Sequence, residues 1–166
     1  TIRAFFEANL DLTASKPRFN FFDMAAPIFT HPRYLPASKI HGGSIEESLI
    51  ADGCIIDHAA LERTSLGIRS FVARGANLNR VIVMGNDYYE SAESITRHES
   101  EGKPRIGIGR GTRIENAIID KNARIGDNCV LSPAGKPETF DHPLYYIRDG
   151  IVMVPKNGLI PHNTVI

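Results

Sequence analysis

The stretch "IIDKNARIGDN" (residues 118–128) places aliphatic side chains at Ile119 and Ile125, and Leu131 follows after the same interval of six. A helix buries positions three and four apart, and an amphipathic strand buries alternate positions. A step of six fits neither. It fits a short strand plus a turn, repeated as the sides of a triangular coil, with each side sending one aliphatic inward. Lys121 is third in its hexad, a position that points away from the axis of such a coil, and Asp120 stands beside it.

The form recurs on both sides. "IADGCI" (50–55), "IDHAAL" (56–61), "LGIRSF" (66–71) and "VARGAN" (72–77) each open on an aliphatic and carry a small residue in fifth place. "IGRGTR" (108–113), "IDKNAR" (119–124) and "IGDNCV" (125–130) repeat it, and Val154, Ile160 and Ile166 are again six apart. Five-residue steps separate Ile45 from Ile50, Ile56 from Leu61, Leu61 from Leu66, Leu78 from Val83, and Ile114 from Ile119. Stacked coils of this kind pair their backbones and bury a continuous aliphatic column. The predicted fold class is all-β: a left-handed parallel β-helix of hexapeptide repeats, an exception to the right-handed crossover rule. An ordinary β-sandwich fits less well, because its strands alternate over longer runs between irregular turns.

The spacing divides the chain into residues 1–39 and a β-helix domain, 40–166, interrupted at 86–105 and 132–148. Both insertions are expected to leave the coil at corners as loops or arms, with a short helix in the first. "DYYE" (87–90) is expected to root that first insertion, its tyrosines packing on the coil. Thr1 reads as the N-cap of a helix, since Ile2, Phe5, Phe6 and Leu10 have helical spacing and Ala4, Ala8 and Ala14 support it to about residue 14. In residues 15–39, Pro17, Pro27, Pro32 and Pro36 exclude a helix. Phe19, Phe21, Phe22, Phe29 and Tyr34 predict an extended linker pinned down by its rings. A chain that opens on a helix cap reads as cut from something longer.

The 166 residues carry 19 basic and 19 acidic side chains, so no net basic charge points to nucleic acid or an anionic membrane as partner. No apolar run approaches the ~20 residues of a membrane span. The start lacks the basic and apolar regions of a signal peptide. Cys54 and Cys129 show no metal spacing and read as reduced, buried and cytoplasmic. His41, His58, His98, His142 and His162 show no zinc-binding pattern. His58 is an outward hexad residue, and an outward histidine serves hexapeptide acyltransferases as general base toward acyl-CoA. That makes a free-standing acyltransferase the alternative reading.

Five segments carry a resemblance in order: "FFDMAAPIFTHPRYLPASK", "VMGNDYYE", "IGIG", "AIIDKNARIGDN" and "DGIVMVPKNGLIP". Together they resemble the C-terminal part of glucose-1-phosphate adenylyltransferase (ADP-glucose pyrophosphorylase), in its cyanobacterial and plant pattern. The resemblance implies a nucleotidyltransferase domain, absent here, that uses Mg²⁺ to make ADP-glucose and pyrophosphate from ATP and glucose 1-phosphate for glycogen or starch synthesis. It implies a left-handed β-helix that joins a homotetramer and takes part in allosteric control by phosphorylated metabolites. It implies no catalytic residue and no cofactor in this chain, which alone should be inactive. By the same resemblance Lys121 binds effector phosphate, with Asp120 in the same site. Lys156 is a second phosphate-binding lysine, and His31 and Arg33 of the linker complete the set. Arg33 could grip a phosphate bidentately, whereas the lysines act more as point charges.

Overall fold

The computed structural model describes Thr1–Ile166 and builds the hexads into stacked parallel coils. Lys39 pairs with Ile55 and Ile55 with Phe71, sixteen residues on each time. Val72 then pairs with Ile108, Ile108 with Ile125, and Ile125 with Ile160, where the longer steps take up the insertions. These strands form the first face. The second face stacks Ile45, Leu61, Leu78, Ile114 and Leu131. The third stacks Ile50, Leu66, Val83, Ile119 and Val154. From Ile56 onward all three columns are buried in one core, whereas Ile40 in the first coil is 48% exposed.

The unequal steps follow from the corners. The five-residue corners between the second and third faces turn on one residue of left-handed backbone: Glu47, Arg63, Arg80 or Asn116. The six-residue corners behind Ile119, Ile125, Val154 and Ile160 use Asn122, Asn128, Asn157 and Asn163, and asparagine tolerates this region better than most residues. The small fifth residue packs inside the corner: Cys54, Ser70, Ala76, Thr112, Ala123 and Cys129 are all buried. Both cysteines are free thiols, and burial raises the pKa of each. Where coils press closest the second residue is glycine. A Cβ on Gly126 would lie 2.4 Å from the backbone nitrogen of His162.

The first helix spans Ile2–Asp11, with Ala4 N–H donating to the Thr1 hydroxyl at 3.2 Å. It stops short of residue 14, where the Thr13 hydroxyl donates to Leu10 O at 2.7 Å. Its buried residues Phe6 and Leu10 pack on Ile82, Ile118 and Ile151, which point outward from the third face. The adjoining Val83 and Ile119 point inward, so these strands are buried on both sides.

Two expectations need correction. The linker rings do not pin residues 15–38: Phe22, Phe29 and Tyr34 are 82%, 91% and 95% exposed. None of the three joins either buried apolar cluster. The tie is made instead by Ser38, whose hydroxyl donates to Ala51 O (2.5 Å) and accepts from Cys54 N–H (3.1 Å). Nor does the second insertion leave the coil as an arm. It returns as Phe140–Asp141 and Tyr146–Arg148, antiparallel to each other and then to Ile151–Val154. Tyr145 and Ile147 join the main core, so apolar burial draws the segment back. The first insertion contains a helix, Ala92–Ser100, capped by Ser91.

A candidate anion-binding corner

The corner between the third and first faces repeats a lysine–asparagine pair. Lys121 and Asn122 follow Ile119, and Lys156 and Asn157 follow Val154 one coil away. Asn157 N–H donates to Lys121 O at 2.9 Å, which locks the two corners together. Asn122 is buried and spends its amide on the site. Its Nδ2 donates to Asp87 Oδ2 (3.0 Å) and Asn157 Oδ1 (3.2 Å), while its Oδ1 accepts from Asp87 N–H (2.8 Å).

Asp87 enters from the root of the first insertion. Lys121 Nζ lies 2.9 Å from its Oδ1 and Lys156 Nζ 3.1 Å from its Oδ2. The bond from Lys121, then those from Asn122 and Lys156, hold the Asp87 carboxyl well below the usual carboxylate range. The sign follows directly: this attraction is fully present above the unfolded value and fades only as pH falls through the depressed folded one. At neutral pH two ammonium groups therefore share the Asp87 carboxylate at a corner open to solvent, with the Asp120 carboxylate beside them.

The other predicted residues lie elsewhere. Asp120 Oδ1 accepts the backbone N–H of Lys121 at 2.6 Å, which shapes the corner and takes one carboxylate oxygen from any ligand role. His31 and Arg33 are exposed on the linker, and neither forms an ion pair or hydrogen bond with the lysines. The structure thus brings Lys121 and Lys156 together and leaves the linker residues apart. Asp87 was not among the expected site residues. Its signal was its place two residues after Gly85, next to the corner that carries Lys121.

"DYYE" does root the insertion, chiefly through Glu90. Its side chain is 3% exposed. Oε1 meets Arg124 Nη2 at 2.7 Å and His98 Nδ1 at 2.9 Å, and Oε2 accepts Ile106 N–H at 2.6 Å. Burial alone would raise this carboxyl's pKa; the Ile106 N–H and Arg124 outweigh it, and the net shift is downward. The Tyr89 hydroxyl donates to Gly53 O at 2.9 Å. His58 pairs with Asp57 at 2.7 Å on an exposed corner, and His142 stacks on Tyr145. No helix is long and apolar enough to cross a membrane.

A stack of hexapeptide coils with a pair of lysines at one corner defines a β-helix domain, and residues 33–165 match the GLGC left-handed parallel beta-helix domain, the family to which this chain belongs. The left-handed coil and the resemblance expected from the sequence are both borne out, and the acyltransferase reading yields to them. The chain is similar to the glucose-1-phosphate adenylyltransferase large subunit 1, chloroplastic/amyloplastic, of Zea mays, with 41% identity over 168 aligned positions. The similarity covers the whole chain but only 33% of that relative's length.

Proposed function

We propose that this chain is the regulatory and assembly domain of a glucose-1-phosphate adenylyltransferase acting in glycogen or starch synthesis. The observation that carries this reading is the pair of lysines, from successive coils, converging on one carboxylate. A phosphorylated metabolite would take the place of Asp87 between them. Its phosphate offers more negative charge and more acceptor oxygens than a carboxylate, so the exchange favours the effector. Arg33 and His31 would join from the linker, once it is held against the catalytic domain. Asp120 would position Lys121 through the backbone.

The parent reaction joins ATP and glucose 1-phosphate into ADP-glucose and pyrophosphate. We assign its Mg²⁺ to the catalytic domain, where the triphosphate of ATP would bind. We place the protein in the cytoplasm, where its buried thiols stay reduced. The open coil at Ile40 offers unpaired backbone for contacts within a homotetramer. Sedimentation of the chain should show self-association rising with concentration. A monomer at every concentration would assign the assembly contacts to the catalytic domain.

The deciding test uses the protein in which this chain is joined to its catalytic domain. Lys121→Ala should weaken activation by a sugar bisphosphate roughly ten- to hundredfold, the equivalent of about 1.5–3 kcal/mol for a charge-assisted contact. Turnover without effector should hold, because the catalytic groups lie in the other domain. Lys121→Arg should retain part of the response. An activation curve that does not move in Lys121→Ala would reduce the lysine to a surface charge.

A further inference from the structure

The first insertion crosses the first face of the coil and encloses a second charged cleft at that face's other corner. The cleft holds about 360 Å³, within the range of small-molecule sites. One wall is the corner stack of Arg74, Arg110 and Asp127; the other is the return of the insertion, through Lys103 and Arg105. The charges do not cancel. Asp57 is taken by Arg74 at 3.1 Å, and Asp127 accepts the backbone N–H of Arg110 at 2.7 Å. Lys103, Arg105 and Arg110 have no carboxylate within ion-pair distance, and of the lining carboxylates Glu99 alone makes no ion pair or hydrogen bond.

Arg105 is the unusual member. Its guanidinium lies over the Phe71 ring, 3.7 Å from the centroid, and its Nε is buried with no hydrogen-bond partner. Burial disfavours the charge of this group, and Glu90 and Glu99, which lie too far off for an ion pair, offset that cost only in part. A guanidinium held flat by a ring is fixed in orientation, and its edge presents the fork that matches a phosphate. We propose that this cleft binds the phosphate group of a small molecule through Arg105 and Arg110, with Lys103 closing over it from the insertion. The site is separate from the Lys121–Lys156 corner and does not rest on the function proposed for that corner. Glu99 and Asp127 at its margin disfavour an extended polyanion.

Inorganic pyrophosphate is the probe, titrated into the chain and followed by NMR at the backbone amides of Lys103, Gly109 and Arg110 and at Arg105 Nε–H. Saturable shifts at these groups are expected. Arg110→Ala and Lys103→Ala remove exposed side chains and should leave the fold intact while each weakens binding about tenfold. Lys121→Ala should leave the cleft's affinity unchanged. Shifts confined to the neighbourhood of Lys121 and Lys156, no shifts at all, or cleft shifts that persist unaltered in both cleft variants would overturn the proposal.

Discussion

Ile119→Ala is expected to lower the free energy of unfolding by about 2–5 kcal/mol. Ile119 is almost wholly buried and stacks between Val83 and Val154 in the third column. The backbone ladders on either side hold the coils at fixed spacing, so the cavity cannot collapse. Ile118 is nearly as buried, yet its neighbours are Phe6, Leu10, Ile82 and Ile151, beneath the first helix. Ile118→Ala should therefore act locally, loosening the docking of Ile2–Asp11 while the coil persists. Urea denaturation measures the first effect and hydrogen exchange across residues 2–11 the second. The topology described above would be wrong if Ile118→Ala unfolded the coil and Ile119→Ala merely freed the helix.

Glu90→Ala should cost about 3–5 kcal/mol, because it strips the partner from buried charge. Arg124 and His98 would lose their carboxylate, and the Ile106 N–H its acceptor. Glu90→Gln keeps the shape and an acceptor, and should cost less. The deficit should narrow in acid: Glu90's folded pKa is depressed, so its contribution is present above the unfolded value and is lost as pH falls through the folded one. Denaturation midpoints measured from neutral pH into acid test this, together with protease sensitivity of residues 86–105. A variant as stable as the parent at neutral pH would show that the insertion is held by something else.

The columns were legible because each inward aliphatic returns after five or six residues, and the steps Ile45–Ile50, Leu61–Leu66, Leu78–Val83 and Ile114–Ile119, all five, already mark the corner between the second and third faces. Burial on both sides of the third face was equally present in the sequence, as the consecutive aliphatics at 81–83, 117–119 and 151–154. Hexad counting reads only the inward member of each run. The return of the second insertion is hidden because its core residues, Tyr145 and Ile147, fall on no hexad step. The linker rings mislead for a different reason: aromatic content argues for burial but does not say against what. Lys121 and Lys156 lie 35 positions apart and meet only because coils stack in register; the resemblance, not the spacing, singled them out. Asp87 reaches Lys121 across 34 positions, a contact visible only after the insertion has been removed and the coils aligned.

Between insertions, each coil bonds to residues sixteen or seventeen positions away and to little else, so stability passes from neighbour to neighbour. The two ends of the stack are unequal. At the Ile40 end the last rung is half in water, whereas the hairpin of Tyr145 and Ile147 folds over the column near the other. The molecule therefore has a direction, like a zipper with one end sewn shut. Opening is expected to begin at residues 39–50 and to advance rung by rung, with amide-exchange protection rising along the stack. The Lys121 corner lies deep in the stack, so it stays assembled while the first coil breathes.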